Sequence, residues 1–301
     1  MATDEHDAEA LPAAGQPRAT SAALLLIGAE LLSGKVRDEN GWFLTKLLRR
    51  RGLRLEEIAV VADDDAAIGS ALLRLIARAA VVFTSGGLGP THDDRTLAAI
   101  AAATGRPLQR HAQMAAVLER HFLPQPEHVR AAGLRMADVP EGTELRALPG
   151  WPVLRLDLDR ASLPAPPATV FGAPAARTGI ARVYILPGVP ALLQAKVEQL
   201  ERLPDELPSG PPWHLERLRL RADETAIARD LDAVVRDYPD VEIGSYPRWS
   251  PGPEGTPRFE LHLTFEGPAP AAAAVHAAAL AMVARVPADA VIDGPSAESP
   301  A

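Results

Sequence analysis

The chain has 301 residues, a formal net charge of -8 and no cysteine, with a pI near 5.5. Disulfide frameworks, thiolate metal sites and cysteine nucleophiles are excluded, and the acidic balance argues against a broad grip on a nucleic-acid backbone, so nucleic acid is not an expected partner. The length allows a large core and favours a large domain followed by a small one.

Residues 1–20 are acidic and rich in Ala and Pro, and read as a disordered leader because they carry little apolar surface to offset the entropy of ordering. The apolar run after them, Ala22 to Ile27, is too short for a signal peptide or a membrane span, which needs roughly 20 apolar residues. A cytoplasmic protein with no membrane partner is the expectation.

Leu24-Leu25-Leu26-Ile27 reads as a strand covered on both faces. The apolar spacing of Phe43, Leu44, Leu47 and Leu48 predicts a helix within 38–51, closed by Gly52, and a strand is expected over 53–61. One of Asp63, Asp64 and Asp65 is expected to cap a helix whose apolar face is Ile68, Leu72, Leu73 and Ile76. A third strand over 80–84 runs into Ser85-Gly86-Gly87-Leu88-Gly89-Pro90-Thr91-His92-Asp93-Asp94, with Asp93 and Asp94 expected to open a helix that Gly105 closes. This alternation predicts a parallel sheet with right-handed crossovers and a site at the carboxyl ends of its strands.

Residues 110–130 read as interrupted helix on a surface excursion, and 138–181 as an irregular stretch with one strand over 153–158. Val183 to Leu186 is a buried strand delivered into Pro187-Gly188-Val189-Pro190 and a helix to about Leu203. The large domain is therefore placed at 21–204. A strand, helix, two strands and a helix over 213–286 predict a small α+β module, with 287–301 as a flexible tail.

The glycine loop is the strongest local signal. Glycines at 86, 87 and 89 let backbone N–H groups approach a ligand, and a helix N-terminus beyond them suits a phosphate. It lacks the Gly-Lys-Ser/Thr of a Walker loop and the GxGxxG dinucleotide fingerprint, and the same glycines would also serve a plain tight turn. Two carboxylates beside a phosphate call for a cation between them, which a divalent metal supplies. Asp94 is the metal or catalytic candidate, and Asp93 a helix cap or second ligand. Glu30, in Gly28 to Gly34, and Asp63 stand at the same predicted sheet edge, and Asn40 lies early in the next helix. Pro187 and Gly188 form either a second ligand-facing turn or a rigid bend. His92 sits inside the glycine loop, while the remaining histidines form no metal constellation.

The runs IGAELLSGKVRDENGWFLTKLLRRRG, VVADDDAAI and VVFTSGGLGPTHDDRTLAAIA, with MADVPEGTEL, YILPGVPALLQ and IGSYP after them, together resemble the molybdopterin-binding (MoaB/Mog-like) domain family. The resemblance is to the branch found in competence/damage-inducible protein A (CinA) and at the N-terminus of FAD synthase. It implies a three-layer α/β/α fold with a mainly parallel sheet, plus a small C-terminal β-α-β-β-α, KH-like module. It also implies a homo-oligomer and divalent-metal-dependent pyrophosphatase activity (Mg, Mn or Co) on ADP-ribose, FAD or a similar dinucleotide, with binding of molybdopterin or a nucleotide without hydrolysis as the alternative. Carried onto this chain, the catalytic positions fall on Asp94, Asp63 and Glu30 and the metal ligands on Asp94, Asp93 and Glu30. Ligand binding falls on Gly86, Gly87, Leu88, Gly89, Pro90, Thr91, Asn40, Pro187 and Gly188. Ala29 stands where the family has a polar residue, residues 151–181 lack its Gly-Thr-Ala-Pro-Gly stretch, and the small module has no GxxG loop.

Overall fold

The structure, a computed structural model, describes residues 21–146, 151–166, 178–251 and 257–298. The expected leader (1–20) and part of the divergent 151–181 segment lie outside them. The chain divides into two compact units, one of Met1–Lys35 with Ala59–Pro208 and one of Val36–Ile58 with Ser209–Ala301.

In the first unit, β1 (Ser21–Ile27), β3 (Val81–Ser85) and β8 (Ile180–Leu186) pair in parallel, while β7 (Val153–Asp159) and β6 (Glu144–Arg146) continue the sheet antiparallel. With β2 (Arg54–Val61), which runs through the boundary between the units, the order is β2-β1-β3-β8-β7-β6. β1 is buried along its whole length, as its unbroken apolar run requires when both faces are covered. One face packs Ala23, Leu25, Val82 and Ile185 against Ile68, Leu72 and Leu75 of α3 (Asp65–Arg78) and Ile100 of α4 (Thr96–Thr104). On the other face Phe83 and Tyr184 stack with ring centroids 5.0 Å apart. Leu193, Val197 and Leu200 of α7 (Pro190–Glu201) are fully buried outside the first cluster.

Several expectations meet corrections here. The helix after the glycine loop begins at Thr96, not at Asp93 or Asp94, because both aspartates turn back into the loop. Gly105 does end it, in the left-handed conformation. Residues 110–130 are not merely superficial: α5 (Ala112–Phe122) puts Met114 and Leu118 into the core, and α6 (Glu127–Leu134) follows the Pro124–Pro126 break. The 138–181 stretch holds more strand than expected, since β4 (Leu108–Arg110) pairs antiparallel with β5 (Asp138–Pro140) and β6 pairs with β7.

The second unit is a four-stranded antiparallel sheet, β10 (Glu242–Pro251), β11 (Pro257–Pro268), β9 (Trp213–Leu220) and β12 (Val291–Glu298), in that order. Leu218, Leu261, Leu263 and Phe265 pack against Ile227 and Val234 of α8 (Glu224–Asp237) and Val275, Ala279 and Met282 of α9 (Ala272–Val283). β12 corrects the expected flexible tail: residues 291–298 form a strand on the open edge of β9, broken by two register shifts. α2 (Asn40–Arg50) belongs to this unit as well. Its Arg49 stacks 3.8 Å over the Trp213 ring and pairs with Glu266, and Gly210 N–H donates to Arg51 O at 2.8 Å.

Candidate functional site

A pocket of about 520 Å³ opens at the carboxyl ends of β1, β3 and β8, lined by Glu30, Asp63, Gly86 to Gly89, Asp93, Asp94, Pro187 and Gly188, with Ile27, Met136, Trp151, Val189 and Leu192. The position follows from the topology, since loops leaving neighbouring parallel strands converge there.

Backbone contacts at two glycines set the floor. Gly86 has φ 110°, and a Cβ on it would lie 2.1 Å from Ile27 O. A Cβ on Gly188 would lie 3.2 Å from Gly86 Cα, so the β3 and β8 loops meet backbone to backbone. Thr96 fastens the loop to α4: its hydroxyl donates to Gly86 O at 2.9 Å and its N–H to Gly87 O at 3.2 Å. The carbonyls are thereby committed, whereas the N–H groups of Gly87 and Leu88 have no acceptor among the described residues. Two open amides on a pocket wall form an anion-seeking feature.

The aspartates hold the loop in this form. Asp94 accepts from Gly89 N–H at 2.5 Å and from Thr91 N–H at 2.7 Å. The Thr91 hydroxyl lies between Asp93 (2.6 Å) and Asp94 (2.5 Å), and its hydrogen bond holds the exposed Asp93 carboxyl below the usual range. The three aspartates after β2 have three separate tasks. Asp63 accepts from Ala29 N–H at 2.8 Å, tying the β2 loop to α1 (Ala29–Leu32). Asp64 is the N-cap of α3, and Asp65 makes a two-armed ion pair with Arg95 (2.7 and 2.5 Å), whose hydrogen bond lowers its pKa.

Glu30 is exposed and its carboxylate, folded over Gly28, has no hydrogen-bond donor among the described residues. Asn40 is buried in α2, outside the residues that line the pocket. Pro90 and Thr91 belong to the loop without lining the pocket, and His92 is 97 % exposed, 3.9 Å from Asp93. Among the described residues no three His, Asp or Glu side chains are grouped to hold a metal ion. With Asp94 bonded to the loop and Asp63 to Ala29, these carboxylates do not converge into a ligand set for the divalent metal that the resemblance implies.

Sequence reasoning missed the apolar wall. Met136 and Trp151 come from segments with no periodic pattern, Val189 from the turn over 187–190 and Leu192 from the first turn of α7, and the isolated tryptophan in a Pro- and Gly-rich stretch was the usable signal for the first two.

Residues 23–204 match the "probable molybdopterin binding domain" and residues 212–294 the "FAD synthase, middle domain". The chain is similar to a protein of Archaeoglobus fulgidus (31 % identity, covering 75 % of this chain and 85 % of that one). It is also similar to a CinA-like protein of Citrifermentans bemidjiense (34 %, 73 % of this chain and 49 % of that one) and a probable FAD synthase of Caenorhabditis elegans (28 %, 77 % and 44 %). It thus spans about half the length of those two relatives. The crystal structure of the protein CinA from Thermoplasma acidophilum covers 62 % of this chain and 98 % of its own at 26 % identity, with a TM-score of 0.49. On the two domain matches and the sequence relatives, the chain belongs to the molybdopterin-binding-domain family, in the CinA-like form in which a FAD synthase middle domain follows.

Proposed function

We propose that the pocket binds a phosphorylated planar ligand, a nucleotide or a pterin such as molybdopterin. Its phosphate would sit at the Gly87 and Leu88 amides and its ring against Met136, Trp151 and Leu192. The observation that carries this reading is the pair of open amides beside an apolar wall.

Hydrolysis of a pyrophosphate bond in ADP-ribose, FAD or a similar dinucleotide is the second reading, favoured by the unpartnered Glu30 carboxylate at the pocket edge and by the CinA-like and FAD synthase relatives. Glu30 is the group open to orient or deprotonate a water. Asp94 acts by shaping the loop. A homo-oligomer belongs to the same proposal, supported by the family likeness and read by sedimentation.

The test is incubation of the purified chain with ADP-ribose or FAD and Mg, Mn or Co, with chromatography of the products and a parallel binding titration. Binding without turnover supports the first reading; mononucleotide products that disappear in Glu30→Gln support the second. Neither binding nor turnover with any nucleotide or pterin phosphate contradicts both.

A further inference from the structure

The charged residues that line the pocket are Glu30, Asp63, Asp93 and Asp94, with no Lys, Arg or His among them. An incoming phosphate therefore meets open amides and, at Glu30 and Asp93, negative charge. Amide dipoles alone offset such repulsion poorly where water still has access.

A guanidinium stands at this loop. Arg135, in the turn after α6, donates from Nη2 to Pro90 O at 2.9 Å, and its neighbour Met136 lines the pocket. Among the described residues that is the one hydrogen bond of its side chain, and it makes no ion pair. Two other arginines of this unit are committed, Arg95 to Asp65 and Arg110 to Asp138. Arginine carries five N–H donors in a planar fork that fits a phosphate two-pronged, so one bond to Pro90 leaves most of the fork available.

We propose that Arg135 is the cation for this pocket: held on Pro90 just outside the lining residues, beside Gly89 and Met136 that do line it, it turns its remaining N–H groups to a phosphate held by Gly87 and Leu88 and so offsets Glu30 and Asp93. The inference rests on the phosphate reading above. It names a specificity residue for phosphorylated over unphosphorylated ligands and requires no metal ion for binding.

The experiment is calorimetric titration of the full chain, in buffer containing EDTA, with AMP against adenosine and FMN against riboflavin. Wild type, Arg135→Lys and Arg135→Met are compared, with thermal melting of each. The expected result is that Arg135→Met weakens AMP or FMN at least tenfold, Arg135→Lys weakens it less, and the nucleoside or riboflavin affinity stays unchanged. Unaltered AMP and FMN binding in Arg135→Met overturns the assignment while the phosphate pocket stands. Equal loss of the phosphorylated and unphosphorylated ligands also overturns it, since that reports a loop-holding role alone. Failure of the wild type to bind any of them overturns both the assignment and the phosphate reading.

Discussion

Asp94 and Gly89 meet at closer range than a side chain at 89 would permit: the Gly89 N–H lies 2.5 Å from Asp94 Oδ1, and a Cβ at 89 would sit 2.5 Å from Oδ2. The carboxylate that sequence reasoning treats as a ligand for a metal thus fills the inside of the loop's turn. Asp94→Ala removes its bonds to Gly89 and Thr91 at once. Hydrogen bonds to a charged group contribute about 1.5–3 kcal/mol each, and in a partly exposed loop we expect a net loss of about 2 kcal/mol. Binding of the phosphorylated ligand should weaken tenfold or more, and Asp94→Asn should not restore it, because its NH2 replaces an acceptor. Melting curves and ligand titration of both variants check this.

Gly86 and Gly188 separate strain from contact. Gly86→Ala forces a Cβ to 2.1 Å from Ile27 O at φ 110°, and should cost about 2–4 kcal/mol. That is a fall in Tm of roughly 3–6 °C for a protein of this size. Gly188→Ala, with 3.2 Å to a Cα and ordinary φ, should stay within about 1 kcal/mol of wild type. Equal Tm values for the two would contradict the backbone packing described.

Glu206 gives a pH dependence. Burial by itself raises its pKa, but hydrogen bonds and charge from Arg146 and Arg155 outweigh that and leave it below the usual value. A depressed carboxylate stabilises the fold above its unfolded pKa of about 4.3, and that contribution is lost as pH falls through the folded value. Glu206→Gln removes the buried anion that Arg146 and Arg155 share, leaving them the exposed Glu144 and, for Arg155, Asp157, and should cost about 3 kcal/mol at pH 7. The gap between variant and wild type should narrow as pH falls below the unfolded pKa of about 4.3. Urea titrations at pH 7 and pH 3.5 read the difference, and a gap that widens on acidification sinks the assignment.

The strand at the end of the described chain gives a fourth test. β12 makes five registered pairs with β9, and Asp293 pairs with Arg219 at 2.6 Å. Cross-strand pairs contribute roughly 0.2–1 kcal/mol each, so removing residues 287–301 should destabilise the second unit by about 3 kcal/mol. Its urea transition should move to lower concentration, while an unmoved transition would show β12 to be dispensable.

The parallel strands were legible because each carries a short apolar run, at 22–27, 81–83 and 183–186, delivered into a turn with Gly or Pro, and the glycine loop because its glycines at 86, 87 and 89 cluster there. The helix start was misread because an Asp pair before a helix looks like a cap. Only the fold shows that Asp94 reaches back five residues to Gly89. The Asp63 contact with Ala29 spans 34 residues and has no local signature. β12 was hidden by Gly294 and Pro295, which read as loop and in the fold lie where the pairing with β9 shifts register. Trp151 and Met136 reach the pocket through irregular segments, where periodicity carries no information.

The phosphate proposed for this pocket would be held by the backbone of the glycine loop, at Gly87 and Leu88. The direct measurement is amide NMR of the full chain, with Gly87 and Leu88 assigned, during titration with FMN or AMP. Saturable shifts at these two N–H signals that track the ligand phosphate are expected, and Asp94→Ala should move their titration to at least tenfold higher ligand concentration. Saturable binding that leaves both amides unmoved would contradict it.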